Sequence, residues 1–532
     1  MLGTIPSHPV LAAQWAPRDL DLVVDYVFAR LPSGRIFVHG ARGEQTTRVV
    51  DAIRARRPDL TLLGFVDRDA RAIKQVDGLP VVTPGELPQH EFDHIVPSHI
   101  NREADQIDDL RAAGIAPSKI FPIYTSANYI DFAIPRILAS FDRALPDSVP
   151  YCIVATVDVE RNLLPPNILH ELFPPEKTVK LTYGRPENFF PEAVYRTIDC
   201  QLSLAVLEHA IDRMGPSVIY LCSTPHVDGQ YLGEFIKTRF PEVKIVHEIS
   251  DWAILFSDKR LNAMGFRPGA LDLARSGERF STTHADLIVH KNGGRGWAAI
   301  AQDFTVPEVT YIPVLGTGAR HSVPARKRKA GEPWRLIFAG SLPMPGNHTH
   351  PDLNYWPLFE RCVADGDITI DLYNSNDQHP EYHYLFEDYV GRYGSPDGAI
   401  RYHRGVRLQK IVSMMDQYDF GWHITNHGEE SHFEPVTAVG MGNKTAAYIV
   451  GGLPVLVDDR YEFIADLLVE FGAGIVLPTA QIDRLPDLIR ASNLDALRGG
   501  IALLHQHLAG QNLTTVEVIR NLITDASTVR DA

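Results

Sequence analysis

The sequence predicts an α/β fold built from three successive units with parallel β-sheets. Short apolar runs rich in β-branched residues alternate with segments of helical period along almost the whole chain, which is the pattern of βαβ units. A length of 532 residues corresponds to about three domains of ordinary size. A proline-containing stretch at 145–150 and a basic stretch at 324–331 interrupt the pattern, and we interpret both as linkers.

These linkers predict domains at residues 1–148, 149–322 and 323–532, of which the last ends in a helix. The first domain begins with a helix at 19–31, and its strands are expected at 35–39, 62–66, 79–82 and 94–97. Strands of the second domain are expected at 151–155, 218–223, 244–248, 287–290 and 311–313. Those of the third are expected at 334–339, 368–373, 420–423 and 453–457, before a helical tail at 501–524.

The composition excludes several classes of protein. The net charge of −15, from 51 Lys+Arg against 66 Asp+Glu, argues against nucleic acid as the main partner. The four cysteines form no Cys-x-x-Cys pair, so we expect buried thiols in a reducing compartment rather than disulfides or a zinc site. No apolar run has the roughly 18–20 residues of a membrane span, and the first 14 residues do not form a signal peptide. We therefore expect a cytoplasmic protein.

A glycine-containing turn follows the first predicted strand. Gly40, Arg42 and Gly43 lie between that strand and a helix, where backbone N–H groups are free to bind phosphate. Asp67 ends the next strand, the usual place of an acid that binds a ribose. Thr46 stands where the third glycine of a dinucleotide fingerprint belongs. A second nucleotide site and a purely structural turn both remain open.

Polar residues also follow the predicted strand at 244–248. His247 and Asp251 stand at the carboxyl edge of a parallel sheet, where ligands bind in such folds. Either side chain could orient an acceptor hydroxyl or accept its proton, so both are candidate catalytic residues. The alternative is a loop in which Ser250 or Asp251 caps the following helix.

The strongest candidate site is a short helix in the third domain. Asn443, Lys444 and Thr445 begin a helix that a Gly-Gly pair ends, before a Pro and a buried strand. A lysine beside the free N–H groups of a helix N-terminus suits a diphosphate. Gly340 and Ser341, after the first strand of the same domain, are the other candidate donor-binding residues. A helix that merely starts with a polar residue is the structural alternative.

This segment resembles the sugar-nucleotide-binding helix of GT-B glycosyltransferases, the family 4-like group in particular. Further segments match landmarks of that group in the right order, at residues 247–251, 284–289, 311–314, 338–341, 418–422 and 472–476. The resemblance covers about residues 151–500. It implies that the third domain binds a nucleotide-diphosphate sugar, that the second presents the acceptor, and that neither a metal nor another cofactor is required.

The chain departs from the family pattern at two places. The glutamate that normally holds the ribose hydroxyls is replaced by Ala447, and the acidic loop 426–434 is a candidate source of a substitute carboxylate. The turn after Gly340 lacks the family's phosphate-binding Arg and Lys. Arg407, or its neighbours Arg404 and Lys410, could compensate.

The front domain resembles the N-terminal Rossmann-like domain of bacterial polysaccharide-biosynthesis enzymes. Segments at 64–67, 77–81, 85–87, 113–115 and 121–124 carry this resemblance over about 90 residues. It implies a surface-polysaccharide or glycoconjugate pathway, with a glycan, a glycolipid or a protein as acceptor. The basic cluster 326–329 could contact anionic lipid at the inner face of a membrane.

Two further hypotheses stay open at this point. One is a non-catalytic scaffold or binding protein of GT-B shape, which the replacement by Ala447 favours. The other is a bifunctional protein whose front domain uses NAD to modify a sugar nucleotide. The His pairs 348/350 and 379/383 are interpreted as surface loops, not as a metal site.

Overall fold

The computed structural model describes residues 14–530, apart from 42–43, 69, 99–102, 157–162, 184–193, 224–230, 264–267, 315–327, 330, 344, 346–353, 379 and 427–434. The strands are β1 Gly34–His39, β2 Leu60–Val66, β3 Gln75–Val76, β4 Leu79–Val82, β5 His94–Pro97, β6 Tyr151–Ala155, β7 Thr178–Thr182, β8 Arg196–Asp199, β9 Val218–Ser223, β10 Lys244–Ile249, β11 Leu287–His290, β12 Glu308–Thr310, β13 Trp334–Gly340, β14 Ile368–Asn374, β15 Ile400–Arg404, β16 Phe420–His423, β17 Val455–Asp458 and β18 Gly474–Leu477. The α-helices are α1 Leu20–Arg30, α2 Glu44–Arg56, α3 Ala70–Ile73, α4 Glu103–Ala112, α5 Ala127–Phe141, α6 Pro166–Leu172, α7 Leu204–Met214, α8 Leu232–Arg239, α9 Asp258–Ala263, α10 Pro268–His284, α11 Gly294–Ala301, α12 Trp356–Val363, α13 Glu387–Tyr393, α14 Leu408–Met414, α15 Pro435–Val439, α16 Asn443–Val450, α17 Glu462–Phe471, α18 Leu485–Ala491 and α19 Leu494–Arg530.

The strands form three sheets, with orders β3-β4-β2-β1-β5, β12-β11-β10-β9-β6-β7-β8 and β15-β14-β13-β16-β17-β18. Every pairing in the third sheet is parallel, and only β3 pairs antiparallel in the first. Numbered within itself, the third sheet has the order 3-2-1-4-5-6 of a dinucleotide-binding fold. The expected α/β class, with three successive Rossmann-like sheets, is confirmed.

Clustering of contacts divides the chain into two compact units rather than three. The first consists of residues 1–158, 175–219 and 239–243, and the second of 159–174, 220–238 and 244–532. Each of the three sheets falls within one of the three predicted ranges. The predicted boundaries at 148/149 and 322/323 stay predictions.

Within the first unit, residues 14–18, here called the strap, run beside the ends of β7 and β8. The Gln14 side chain accepts a hydrogen bond from the Tyr183 hydroxyl at 2.7 Å, and its carbonyl accepts from Leu204 N at 2.8 Å. Ser203, the N-cap of α7, donates to the Trp15 carbonyl at 2.7 Å. The strap therefore binds directly to the polypeptide that follows these two strands.

Within the second unit, the long helix α19 returns to the segment after β12. The Asn512 side chain accepts from Ile312 N at 3.0 Å and donates to Ile312 O at 2.7 Å. Thr515 donates to the Thr310 carbonyl at 2.7 Å. The expected strand at 311–313 was wrong, because the strand ends at Thr310. Tyr311 N still donates to the His290 carbonyl of β11 at 2.7 Å, and the backbone of Ile312 then pairs with the Asn512 side chain of α19.

Candidate functional site

The third sheet has a switch point between β13 and β16, where the order of strands reverses. Chains leaving two such strands depart in opposite directions and leave a crevice at their carboxyl ends, which is where open parallel sheets bind ligands. Gly340 ends β13 and His423 ends β16. The topology therefore makes this crevice the candidate ligand-binding site of the third sheet.

Helix α16 is held over both strands by Tyr448. The Tyr448 hydroxyl accepts from Ala339 N at 3.0 Å and lies 3.2 Å from the carbonyl of Trp422, to which it can donate. The ring lies across Gly421, where an added Cβ would come within 2.4 Å of it. This contact explains why β16 carries a glycine, and it fixes α16 relative to the switch point.

Lys444, in the first turn of α16, is half-buried between two aromatic rings. Its ammonium lies 4.6 Å from the centre of the Phe338 ring and 5.2 Å from that of Tyr355. Its side chain passes over Gly340, where an added Cβ would stand 2.6 Å from Lys444 Cδ. Burial lowers the pKa of Lys444 to about 8. Among the residues that the structure describes, no carboxylate forms an ion pair with this ammonium.

The first turn of α16 also lacks a cap. Gly442 occupies the N-cap position and offers no side-chain acceptor, and the first turn contains no acidic residue. Over the described ranges, no acceptor binds the backbone N–H of Asn443, Lys444 or Thr445. Within the described residues, three free N–H donors and an ammonium whose hydrogen bond to the Tyr355 hydroxyl is 3.5 Å long thus converge at the switch point. That is the arrangement that binds anions.

His423 is a site residue that the sequence reasoning missed. It is buried, and its Nδ1 is hydrogen-bonded to the Thr445 hydroxyl. Burial, with a further contribution from the charge of Lys444, holds the pKa of His423 well below its usual value, so the imidazole is neutral. Its position at the end of β16, one strand from Gly340, was the available signal.

The structure thus brings Gly340, Lys444 and Thr445 together, with Asn443 exposed at the helix start. Ser341 is hydrogen-bonded to the Ser375 hydroxyl at 2.9 Å. Arg407 is exposed before α14, and no contact joins it to the described residues of this group. Ala447 is buried in the apolar core behind the helix. Most of the acidic loop 426–434 lies outside the described residues.

On the second sheet, Asp251 lies after the carboxyl end of β10 and forms an ion pair with Lys291. The distance from Asp251 Oδ1 to Lys291 Nζ is 3.1 Å, and 31% of the aspartate side chain is exposed against 9% of the lysine. Glu278 fixes the next residues by accepting hydrogen bonds from Ala253 N and Ile254 N at 2.6 and 2.9 Å. Asp251 is therefore reachable by solvent and held in place by its loop.

His247 does not reach this surface. It is fully buried in β10, with Nε2 2.8 Å from the Ser223 hydroxyl and Nδ1 2.9 Å from that of Ser281. Burial lowers its pKa to about 3. The expectation that His247 faces a sugar is therefore not met, because the ring points into the packing around Gly233. The alternative cap is also wrong, since a short 3₁₀ helix begins at Ala253 with Trp252 as its N-cap.

Glu248 is a buried acid that the sequence reasoning passed over. It accepts a hydrogen bond from Leu163 N at 2.8 Å and another from the Tyr220 hydroxyl. Burial raises its pKa, while the charge of Lys291 acts in the opposite direction. Lys291 therefore lies within electrostatic reach of two carboxylates, those of Asp251 and Glu248.

Comparison with known proteins gives distant structural similarities. No family model matches the chain, and no curated protein is similar to it in sequence. HepE from Anabaena, in complex with UDP, is similar at 11% identity and a TM-score of 0.47, over 70% of this chain and 100% of that chain. The trehalose 6-phosphate synthase of Burkholderia multivorans is similar at 10% identity and a TM-score of 0.43, over 72% and 99%. An O-GlcNAc transferase variant from Thermobaculum terrenum is similar at 15% identity and 0.41, over 73% and 70%. At these identities and TM-scores, the similarities assign neither a family nor a substrate to this chain.

The turn after β1 is closed by its own side chains. Ala41 N donates to Asp67 Oδ2 at 3.0 Å, and a Cβ on Gly40 would stand 2.8 Å from the Ser98 hydroxyl. Thr46 is hydrogen-bonded to that same hydroxyl at 2.7 Å. Arg42 and Gly43 lie outside the described residues, so the second nucleotide site stays a prediction, with its aspartate engaged by the turn.

The described residues contain no group of three or more potential metal ligands, and His383 is hydrogen-bonded to Asp377 at 2.7 Å. None of the helices within those residues is long and apolar enough to cross a membrane. His348, His350 and His379 lie outside the described residues.

Proposed function

We propose that this protein transfers a sugar from a nucleoside-diphosphate sugar to a hydroxyl of an acceptor. The observation that carries the proposal is the half-buried Lys444 ammonium, without a carboxylate partner in the described chain, beside three free N–H groups of α16. A diphosphate supplies the charge and the acceptors that these groups lack. Because these groups lie at the switch point of the third sheet, the anion that they bind is expected to belong to a nucleotide rather than to be a simple anion.

The chemistry follows from where charge develops. The bond between the anomeric carbon and the diphosphate oxygen breaks, and the acceptor oxygen bonds to that carbon. Lys444 and the N-terminus of α16 stabilise the charge on the departing diphosphate. We assign Asp251, not the enclosed His247, to orient the acceptor hydroxyl and take its proton. This assignment requires no metal ion or other cofactor.

The front domain supports a proposal about the class of acceptor. Its resemblance to domains of polysaccharide-biosynthesis enzymes supports a glycan or a lipid-linked acceptor of a bacterial surface-polysaccharide pathway. The basic cluster at 326–329 supports action in the cytoplasm at the inner face of a membrane, because anionic lipid attracts such clusters.

A second candidate is a nucleotide-binding scaffold without transferase activity. The observation in its favour is the burial of Ala447 in the apolar core, because a family member would place its ribose-binding glutamate there. Both candidates bind the nucleotide at the same anion site, but only the transferase turns over a sugar nucleotide.

The test is thermal unfolding with UDP, GDP, CDP, dTDP, NAD and CoA, on the wild type, Lys444→Met and Lys177→Met. Lys177 is an exposed lysine and serves as the matched control. We expect one nucleoside diphosphate to raise the Tm of the wild type and of Lys177→Met, but not of Lys444→Met, because binding stabilises the folded state. No response to any nucleoside diphosphate would contradict the proposal. Binding without turnover of the matching sugar nucleotide would favour the scaffold.

A further inference from the structure

Residues 291–293, here called the linking segment, follow β11 and pair with the residues that lead into α16. Gly293 N donates to Val439 O at 2.9 Å, and Met441 N donates to Lys291 O at 3.1 Å. Asn292 and Gly440 form an isolated antiparallel bridge between these two bonds. Met441 is two residues from the start of α16. The carboxyl end of a second-sheet strand is thereby hydrogen-bonded to the approach of the anion-binding helix.

Hydrogen bonds to residues of β11 and β12 fix the linking segment. Asn292 N donates to His290 Nδ1 at 3.1 Å, and the Thr310 hydroxyl donates to Asn292 O at 3.2 Å. The other nitrogen of His290 is hydrogen-bonded to Glu308, which also accepts from Trp297 Nε1 at 2.9 Å. The buried backbone of Lys291 and Asn292, fixed by these hydrogen bonds, transmits a displacement instead of absorbing it.

Lys291 connects this backbone to the acceptor side. Its carbonyl holds Met441 N, and its ammonium forms the ion pair with Asp251, with only 9% of the lysine side chain exposed. Removing the aspartate charge would leave a buried cation, which is costly. An alternative carboxylate within electrostatic reach of Lys291 is that of Glu248, which lies in the interior and is already hydrogen-bonded. Lys291 would move toward it and displace the linking segment.

We propose that the Asp251–Lys291 pair positions the N-terminus of α16, so that the state of the acceptor-side aspartate sets the affinity for the donor diphosphate. Asp251 then acts in two ways, directly on the acceptor and, through Lys291, on the donor helix. The second role makes donor binding and acceptor binding reciprocally coupled. This inference rests on the proposed function for the identity of the ligand, but not for the mechanical link.

The first test is hydrogen exchange of the full-length protein without ligand, in wild type, Asp251→Asn and the control Asp286→Asn. Asp286 also pairs with lysines, Lys237 and Lys244, but at the opposite end of β11. We expect the hydrogen-bonded backbone amides of Gly440, Met441 and Ala446 to exchange at least about fivefold faster in Asp251→Asn only, because local opening becomes easier. Unchanged exchange there in Asp251→Asn would overturn the inference, whatever the protein binds.

The second test is calorimetric titration of UDP, without acceptor, into the same proteins and the double variant Asp251→Asn/Lys291→Met. A purely acceptor-side role for Asp251 predicts an unchanged Kd. We expect about tenfold weaker binding in Asp251→Asn and partial recovery in the double variant, where no unpaired charge is left buried. Equal affinity in wild type and Asp251→Asn would contradict the coupling, whereas absence of binding in the wild type would count against UDP as donor nucleotide.

Discussion

Lys444 is a cation kept partly out of water without a compensating carboxylate in the described chain. The rings of Phe338 and Tyr355 contribute favourable contact with the ammonium, but they do not offset its desolvation, and the pKa of Lys444 falls to about 8. A bound diphosphate would favour the charged form and raise that pKa again. Protonation of this one group and binding of the anion are therefore linked.

The affinity for UDP should consequently fall as the pH rises above about 8. The free protein loses the Lys444 proton near that value, while the phosphate of UDP is already fully ionised there. We expect Kd to rise about tenfold between pH 8 and 9.5, since one pKa unit corresponds to a tenfold change in protonation. Titration calorimetry measures it, with Lys444→Arg as control, because a guanidinium stays charged throughout. Parallel pH profiles for the two proteins would contradict the prediction.

The sequence distinguishes Lys444 from His247 only in part. Both lie near a buried strand beside a proposed crevice, His247 toward the end of one strand and Lys444 in the helix before another. Residue type alone favours the histidine as a catalyst. The direction of the side chain decides between them. The His247 ring points from β10 into the protein interior, whereas Lys444 lies in the first turn of a helix at the crevice. Side-chain direction in a strand depends on register, and that register was not available from the pattern.

At the scale of elements, a few polar contacts and apolar packing together hold α19 in place. Ile501, Leu504 and Leu508 pack into the core shared with α16. Further along, Asn512 accepts from the N–H of the buried Ile312 and donates to its carbonyl, which also accepts from Val314 N at 2.6 Å. The helix therefore completes the hydrogen bonding of the chain that leaves the second sheet.

Replacing Asn512 by leucine should lower the free energy of unfolding by about 2 kcal/mol, because the buried N–H of Ile312 loses its acceptor while the Ile312 carbonyl keeps the hydrogen bond from Val314 N. Gln511→Leu, at the exposed neighbouring position, is the matched control and should change stability little. Calorimetric unfolding of both variants checks this. Equal stability of the two would mean that water or a shifted backbone satisfies Ile312.

Most strands are predictable from apolar patterning, and two of the missed strands, β8 and β15, share a reason. β8 and β15 are edge strands of their sheets, with the sequences Arg-Thr-Ile-Asp and Ile-Arg-Tyr-His-Arg. Edge strands carry charged residues because one side meets solvent, so they lack the apolar run that marks central strands. The missed strand β7 carries Lys180 at its centre for no reason that the sequence reveals.

At the scale of the whole molecule, the front sheet belongs to the same compact unit as residues 175–219. The strap accounts for this through buried hydrogen bonds to Tyr183, Ser203 and Leu204. Arg18 N also donates at 2.9 Å to the carbonyl of Gln201, a non-glycine residue with a φ of +53°. A left-handed residue of this kind is strained, and it persists because its surroundings fix it.

Residues 149–532 should therefore not fold independently, although the linker at 145–150 suggests a domain boundary. Without the strap, the Tyr183 hydroxyl and the Ser203 and Leu204 groups lose buried partners, and the core around α7, in which Leu204 and Val206 are fully buried, opens to water. We expect the truncated protein to be insoluble, or to unfold well below the full chain without a cooperative transition. Calorimetry and size-exclusion chromatography of both proteins measure this. A truncated protein that unfolds cooperatively near the Tm of the full chain would instead show that residues 1–148 are a separable domain.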